Sequence, residues 1–481
     1  MNDKLSKDFF VVLISIFLAA ASGFIIAKTG AISLVILPLL ILAVVLSFFI
    51  IRNPELGWFL IVFFLPFERV PSYELAGINL KINTLLGFLT LFAWVVAMMF
   101  NSKKFKVQPN ALAIPLSLLV IALLLSLTQA ENLTRALSVL IFILFTIGLS
   151  ILAVNMVNSK ENLKKTLLVL FGSSFLVGLF GLYQFGGDVV GLPQGLTLLK
   201  EGYTSRVFGF PRVQAFSMEP LYFANYLLIP ICVGLALALN KVDLIKRWWM
   251  IGLLALLLVN FILTVSRGGY AGLIVSLLIL AIFFLKKVLT WKNILIGVVA
   301  GAIVIYGVAF ALSAGEYRAT NQFLGHIKLQ DITQGESIQG RLVTFKNALR
   351  AYGQSPLLGI GIGNYGPWSK NFPPERPKTG WDIVNNQYIE LLAETGIVGL
   401  AAFGLLLIVL IFRTFVAFKY ASDIFLKSVL VGLLAALIGV LVQYNFMSTL
   451  YIIHIWVLVG MLVGVQNIVF KLKVISFKLT F

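Results

Sequence analysis

The chain has 481 residues, of which 60% are hydrophobic and 12% are charged, and its mean hydropathy is +1.01. A soluble protein is about 45–50% apolar and about 25% charged, so this composition excludes a soluble enzyme, a disordered chain and a fibrous protein. The formal net charge of +18 would suggest nucleic acid in a soluble protein. In a membrane protein basic cytoplasmic loops explain it better, so we expect no nucleic-acid partner.

Long continuous apolar runs predict helices that cross a lipid bilayer, since a span needs about 20 apolar residues. The short alternating segments typical of a β-barrel are not the pattern here. The predicted fold class is therefore all-α, a polytopic membrane protein with about 14 transmembrane helices (12–14). The spans are placed near 9–27, 31–51, 57–67, 82–100, 111–128, 135–157, 166–185, 221–240, 249–265, 268–285, 293–313, 396–412, 425–446 and 451–470.

The charges orient these spans. If the N-terminus is cytoplasmic, every cytoplasmic segment is basic, and most of the 37 Lys and Arg residues lie on that side. The positive-inside rule then predicts an even number of spans with both termini in the cytoplasm. The first segment lacks a small-residue cleavage site before the next span, so we do not expect a cleaved signal peptide.

Three outer segments collect the remaining polar residues, at 68–81, about 186–220 and about 314–395. The third is the longest, and a loop of that length is usually functional. The predicted domains are the N-terminal transmembrane helices 1–11 over 1–313, a large extracytoplasmic loop over 314–395, and transmembrane helices 12–14 over 396–481.

The long loop carries its own pattern. Leu342, Phe345, Leu349 and Tyr352 recur at helical spacing among basic residues, which predicts an amphipathic helix at the membrane interface. The glycines of the following GIGIGNYG match GxGxxG, but a βαβ context is lacking, so a tight turn is the better interpretation. Residues 385–394 predict another helix that runs into the next span.

Metal and disulfide chemistry have little support. His326 and His454 lie in different segments, and no zinc-binding spacing is present. Glu68 and Glu74 are the nearest approach to a magnesium site, and a solvated loop is the simpler explanation for them. Cys232 is a single cysteine in an apolar run and is most simply a packing residue. We therefore expect neither a metal nor a cofactor.

Arginine is the more informative residue type. Arg206 and Arg212 lie in the second outer segment, Arg267 lies between two apolar runs, and Arg341 opens the amphipathic helix. An arginine at a helix end in a membrane protein pairs with a partner, serves a site or snorkels to the headgroups. Because arginine binds phosphate with two hydrogen bonds and keeps its charge, several outer arginines would suit a lipid-linked pyrophosphate.

Glu219 precedes Pro220 at the start of the eighth span. Its carboxylate could be a favourable charge at the helix N-terminus, a general base or an arginine partner. His454 could be a packed, hydrogen-bonded residue or part of a proton relay.

Four segments together resemble the O-antigen ligase and O-antigen polymerase superfamily. They are GRLVTFKNALRAYGQSPLLGIGIGNYG, NNQYIELLAETGIVGLAAFG, TVSRGG and RVQAFSMEPLYFA, which fall within 206–404. The resemblance implies a metal-independent membrane glycosyltransferase of the GT-C type in the bacterial cytoplasmic (inner) membrane. Such an enzyme transfers a glycan from undecaprenyl pyrophosphate on the outer face of that membrane.

The resemblance also implies roles for individual residues. Arg212, Arg267 and Arg341 would hold the donor pyrophosphate and, with Glu219, form the catalytic set. Substrate binding would fall to Arg206, Asn385, Asn386 and Tyr388. The implied partners are the undecaprenyl-pyrophosphate-linked glycan as donor and acceptor, the lipid bilayer and a chain-length regulator protein.

One departure from the family pattern matters. Asn385 stands where the family has a histidine, the general base proposed for ligases, and asparagine cannot accept a proton near neutral pH. The base is then elsewhere, with Glu219 and His326 as candidates, or Asn385 only orients the acceptor. The Glu-Pro before the eighth span is also more like polymerases than ligases. Both differences favour a polymerase of lipid-linked repeat units, with a ligase that transfers to lipid A–core as the alternative.

A flippase or transporter with about 14 helices is the alternative of another class. The sequence shows no internal repeat and few charges in mid-span, and its long outer loop favours an enzyme.

Overall fold

The computed structural model describes residues 44–69, 72–75, 78–100, 107–288, 290, 306, 336–370 and 382–479. The predicted span 9–27, nearly all of the span 293–313 and the candidate base His326 lie outside the described residues. The chain divides into two compact units. Among the described residues, the smaller unit contains 44–57 and 89–100, and the larger contains the rest.

Helices dominate the described residues. In chain order they are α1 (44–52), α2 (Pro54–Phe64), α3 (Ile82–Phe100), α4 (Ala113–Ser126), α5 (Leu133–Met156), α6 (Lys160–Val189), α7 (Gln194–Thr197), α8 (Ser205–Phe208), α9 (Pro220–Leu239), α10 (Arg247–Leu263), α11 (Arg267–Val288), α12 (Glu336–Gln354), α13 (Tyr365–Ser369), α14 (Gln387–Tyr420), α15 (Ile424–Gln443) and α16 (Ile453–Leu479). Two single 3₁₀ turns cover Leu127–Gln129 and Glu201–Tyr203.

The prediction of an all-α membrane protein is confirmed. Eight of the described helices, namely α3, α5, α6, α9, α11, α14, α15 and α16, are long and apolar enough to cross a membrane. Helices α2, α4 and α10 are apolar but shorter. The total of about 14 spans stays a prediction.

One local feature departs from the all-α expectation. Within the first outer segment, β1 (Ser72–Leu75) and β2 (Ile78–Lys81) form an antiparallel hairpin, with Ser72 opposite Lys81. The segment was expected to be a loop. Tyr73 and Ile78 favour an extended strand, and antiparallel pairing satisfies backbone groups that a loop would leave to solvent.

In the larger unit, helix α15 packs against both α9 and α11, α16 packs against α5, and α14 packs against α4. Helices α9, α15 and α16 are the most buried of the spans. Their close approach depends on small residues, as is usual between membrane helices. At Gly432 of α15, an added Cβ would lie 2.6 Å from the Cα of Val233 in α9.

The amphipathic helix predicted in the long loop is confirmed as α12, but its buried face is different. Leu342 and Leu349 are exposed, whereas Ala348 and Ala351 are fully buried. The buried alanines pack in one cluster with Ile360, Tyr365, Trp368, Val384 and Ala393. Small side chains let α12 approach the start of α14 closely, and Phe345 packs partly buried against the same cluster. Leu342 and Leu349 face away from the protein, as is usual in an interfacial helix.

The predicted glycine turn after α12 is confirmed, and it docks onto the first turns of α14. Ile360 N donates to Ala393 O at 3.0 Å, and Gly361 N donates to Glu394 O at 2.9 Å. The contact requires glycine on both sides. Gly396 has φ +64°, and a Cβ there would lie 2.2 Å from Leu357 O. The turn and α14 therefore form one rigid support at the end of the bundle where the site lies.

Candidate active site

The helix bundle has two chemically different ends. The N-terminal ends of α5, α9, α11, α14 and α16 and the C-terminal ends of α6, α10 and α15 form what we call the site end. It holds a cavity of about 480 Å³, within the range of about 300–1,000 Å³ usual for small-molecule sites. The cavity is lined by Glu68, Lys81, Asn83, Thr84, Arg135, Ser138, Val139, Phe142, Lys200, Met218, Glu219, Tyr222, Thr449, Tyr451, Ile452 and Ile453.

Glu219 lies on the cavity wall, directly before α9. It is the N-cap residue of that helix, with φ −148° and ψ 158°, yet its side chain makes no capping hydrogen bond. Pro220 at the first helical position needs no N–H partner and has a φ that suits the helix. The Glu219 carboxylate therefore lies at the N-terminus of α9 without serving as a hydrogen-bonded cap.

Two arginines interact electrostatically with the Glu219 carboxylate. Burial lowers the pKa of Arg341, and Glu219 opposes this shift. Burial also lowers the pKa of Arg212, opposed first by Tyr203 and more weakly by Glu219. The Arg212 guanidinium lies 5.6 Å from the centre of the Tyr203 ring. Both guanidinium groups therefore lose hydration on burial. The Glu219 carboxylate partly compensates for this loss at both arginines, and the Tyr203 ring does so at Arg212.

Lys200 adds a third cation on the cavity side of Glu219. Its Nζ donates to Met218 O at 2.8 Å, one residue before Glu219. Burial lowers the pKa of Lys200, Glu219 raises it, and Arg69 and Lys81 lower it further. The pattern indicates a cluster of positive charge in which Glu219 is the main counter-ion for the lysine.

Arg267 joins this group through the start of α11. Arg212 Nε donates to Thr264 O at 3.4 Å, three residues before Arg267, and Arg267 is near enough to lower the pKa of Arg212. Arg341 also lies near the start of α11, because Phe446 is close to both. The Phe446 ring centre lies 5.9 Å from the Arg341 guanidinium. A Cβ added at Gly268, the residue after Arg267, would lie 2.8 Å from the Phe446 side chain.

The three arginines thus lie close to one another and to Glu219, although they come from three segments. The sequence analysis expected the three arginines to hold the donor pyrophosphate together. Glu219 lines the cavity described above, whereas Arg212, Arg267 and Arg341 are not among its lining residues. Arg206 is exposed in the short helix α8 and is also not part of the cavity lining.

The residues expected to bind substrate around 385–388 have local contacts. Asn386 caps α14, since its Oδ1 accepts from Tyr388 N at 3.1 Å and Ile389 N at 3.0 Å. The Tyr388 hydroxyl donates to Leu441 O at 2.7 Å. Asn385 adopts φ +58°, a left-handed conformation that asparagine tolerates better than most residues. None of the three lines the cavity.

Sequence reasoning missed several residues of the cavity wall, including Lys81, Arg135, Lys200, Tyr222 and Tyr451. Lys81 and Lys200 could have been recognised from the sequence. They lie in segments predicted to be outside, where lysine is disfavoured by the positive-inside rule and therefore needs a reason. Tyr222 and Tyr451 could not have been recognised in this way, because an aromatic side chain near a span end is common in any membrane protein.

Two carboxylates of α14 hold the backbone near the cavity wall. The buried Glu394 accepts from Gly363 N at 2.8 Å and from Tyr365 N at 3.0 Å, and the half-buried Glu390 accepts from Val384 N at 3.0 Å. Arg135 Nε donates to Gly363 O at 2.6 Å. Arg135 therefore links the cavity to the glycine turn, and Glu394 rigidifies that turn.

The sequence-based interpretation of Glu68 is wrong. A solvated loop was the simpler explanation for it, but its side chain is buried, and its Oε1 lies 3.4 Å from His454 Nδ1. Tertiary folding brings these two residues together from distant segments. Among the described residues, no group of three His, Cys, Asp or Glu side chains could hold a metal ion.

Comparison with known proteins supports the resemblance. Residues 252–404 match the family model described as O-antigen ligase. The matched segment runs from α10 to α14 and contains Arg267, Arg341 and the glycine turn, whereas Arg212 and Glu219 lie before it. A search of curated proteins found no match.

Proposed function

We propose that this chain is a membrane glycosyltransferase that polymerises undecaprenyl-pyrophosphate-linked oligosaccharide repeat units on the outer face of the cytoplasmic membrane. The product would be an O-antigen, a capsule or an exopolysaccharide. The observation that carries the proposal is the position of Glu219, which lines a cavity of substrate size and interacts electrostatically with Arg212 and Arg341. The superfamily match at 252–404 supports the same class of reaction.

The arginine group suits the donor. When the glycosidic bond to the lipid breaks, the leaving pyrophosphate carries the negative charge that develops in the transition state. Fixed cations at that place stabilise it more effectively than a general acid would. Arg212, Arg267 and Arg341 supply planar guanidinium groups that can bind a phosphate with two hydrogen bonds each.

The cavity suits the acceptor glycan. Phe142, Tyr222 and Tyr451 provide aromatic surface, and Asn83 and Thr84 provide hydrogen-bonding groups beside the charged residues of the wall. Ligand sites usually combine aromatic walls with a few placed polar groups. Glu219 would then accept a hydrogen bond from the acceptor hydroxyl and orient it toward the donor. Asn385 remains a proposed acceptor contact in the place of the family histidine.

A ligase is the second candidate, and the description of the matching family model as O-antigen ligase favours it. A ligase and a polymerase need the same donor site and differ in the acceptor. The test is transfer by the purified protein in liposomes from a lipid-linked repeat unit. A ladder of lipid-linked oligomers supports the polymerase, and transfer only to lipid A–core supports the ligase. Translocation without transfer would make the chain a flippase and would contradict both.

Orientation in the membrane is part of the proposal. Both termini would be cytoplasmic, the loop 314–395 would be extracytoplasmic between membrane domains 1–313 and 396–481, and a chain-length regulator would bind the assembled enzyme. Cys232 is buried, so an introduced cysteine can be labelled against a low background. Lys346→Cys in α12 should react with an impermeant reagent in intact spheroplasts. Lys246→Cys, exposed at the opposite end, should react only after lysis, and the reverse result would contradict the topology.

A further inference from the structure

Two carboxylates line the cavity, and their surroundings differ. Glu219 has Lys200, Arg212 and Arg341 around it, so it is placed as a counter-ion and an orienting group. Glu68 has an imidazole next to it. Its side chain is 11% exposed, one oxygen lies 3.4 Å from His454 Nδ1, and the other lies 3.5 Å from Met218 N.

The hydrogen bonds of His454 determine which of its nitrogens faces Glu68 as an acceptor. His454 Nε2 lies 2.8 Å from Asn225 Oδ1. Asn225 Nδ2 donates to Gln443 Oε1 at 2.8 Å, so Asn225 Oδ1 is left as an acceptor and Nε2 carries a hydrogen. In the neutral ring Nδ1 is then unprotonated. Glu68 Oε1 and His454 Nδ1 are two acceptors that face each other, an arrangement that can hold one proton between them.

A structural role explains only part of this network. Asn225, Gln443 and His454 come from α9, α15 and α16, and polar contacts of this kind commonly join helices inside a membrane. Joining these helices requires only the hydrogen bond of His454 Nε2 to Asn225. It does not explain why Nδ1, which makes no other hydrogen bond within the described part of the chain, faces a carboxylate on the cavity wall from a separate segment.

We propose that Glu68, backed by His454, is the proton acceptor of the transfer reaction, a role that Asn385 cannot perform. This inference rests on the proposed function. The acceptor hydroxyl oxygen forms a bond to the anomeric carbon of the donor glycan, and the bond from that carbon to the pyrophosphate oxygen breaks. The electron pair leaves with the lipid pyrophosphate. The hydroxyl proton passes to Glu68, which then donates a hydrogen bond to His454 Nδ1.

His454 is a positioning residue in this scheme, since it is 1% exposed and acts through Glu68. Its contribution is to hold the Glu68 carboxylate at the wall and to stabilise the protonated acid by accepting its hydrogen. Asn225 in turn keeps the ring in the tautomer that leaves Nδ1 open.

The experiment is chemical rescue in the liposome assay with a lipid-linked repeat unit. Glu68→Ala should lower kcat by about 10²–10⁴-fold, the usual contribution of a general base, with little change in the KM of the donor. Added formate should restore part of the lost kcat, because it fits the space that alanine leaves and replaces the carboxylate. Glu68→Gln should lose a similar activity without rescue, because the glutamine fills that space.

His454 is tested through the same readout. The double variant Glu68→Ala with His454→Gln should respond less to formate than Glu68→Ala alone, an effect that a purely structural histidine would not produce. Glu131→Gln, an exposed acid at the same end, is the matched control and should retain wild-type kcat. Thermal melting in detergent checks that each variant is folded.

Three outcomes would overturn the inference: wild-type kcat in Glu68→Gln, a folded Glu68→Ala that formate does not rescue, or rescue of Glu219→Ala in place of Glu68→Ala. These results are distinct from failure of the proposed function. In that case the wild-type protein itself would form no glycosidic bond with any lipid-linked donor.

Discussion

The charged side chains at the two ends of the helix bundle have different surroundings. At the site end, Glu68 is buried and Glu219 is half-buried on the wall of a cavity, and Arg341 is half-buried near Glu219. At the opposite end, Lys246 and Lys419 are exposed at helix ends. Exposed lysines there need no partner, because they remain in water or among lipid headgroups.

The closest ion pair of the opposite end illustrates the contrast. Lys160 binds Asp423, and their side chains are 35% and 26% exposed. A pair so accessible to solvent contributes little to stability. The charges of the site end are held where water is partly excluded, and such charges persist in a membrane protein mainly when they serve a site. Substitutions should therefore affect activity at one end and almost nothing at the other.

Apart from substitution of the proposed proton acceptor Glu68, the largest expected effect is at Arg341. Arg341→Ala should reduce product formation at least about tenfold, since a charge-assisted contact is worth about 1.5–3 kcal/mol. Arg341→Lys should recover only part of it, because an ammonium lacks the planar fork. Arg350→Ala on the same helix is exposed and serves as the control. Equal turnover in Arg341→Ala and Arg350→Ala would contradict the proposed donor site.

Glu219→Gln should lower turnover by about tenfold or more, since it removes a charged acceptor worth about 1.5–3 kcal/mol. Donor affinity should change much less. The measurements are kcat and the KM of the donor in the liposome assay. Full activity of this variant would mean that Glu219 is only a helix-terminal charge that compensates the nearby cations.

Gly396→Ala tests the docking of the glycine turn onto α14. A Cβ at φ +64° would lie 2.2 Å from Leu357 O, so we expect a loss of about 1–3 kcal/mol in unfolding free energy. Gly404→Ala in the same helix meets no atom within 4 Å and should be stabilising by about 0.5–1 kcal/mol. Thermal melting in detergent compares the two, and shifts in the same direction would argue against the docked turn.

Asn385→His should keep activity within about threefold. Histidine is among the residues enriched at positive φ, so the backbone at φ +58° should accept it, and the substitution restores the residue type of the superfamily at this position. Asn385→Val, with a β-branched side chain disfavoured there, should lower the melting temperature. A loss of activity in the histidine variant without a change in melting would show that Asn385 has a specific contact of its own.

The smallest effect is expected at the opposite end. Lys160→Gln should leave turnover unchanged and alter unfolding free energy by about 0–1 kcal/mol, the usual value of an exposed pair. The same assays measure both quantities. A loss of turnover comparable to that of Arg341→Ala would remove the distinction between the two ends.

Composition and periodicity by themselves determined the membrane class, the positions of the described spans, the helix α12 and the glycine turn. These features depend on residues that are near one another in sequence, so a hydrophobic run or a helical spacing is enough to predict them. The motifs also pointed to Arg212, Arg267, Arg341 and Glu219 as members of one site, because arginine and glutamate at span ends require an explanation.

The tertiary structure alone decided how those residues are arranged. Placing Glu219 on the wall of a cavity and near Arg341, and Glu68 beside His454, depends on contacts across more than a hundred residues of chain, which no local pattern encodes. The same is true of the buried face of α12, where packing against the start of α14 selected Ala348 and Ala351 over the larger Leu342 and Leu349. Local sequence predicts that a helix is amphipathic, but the space that its neighbour leaves determines which side chains are buried.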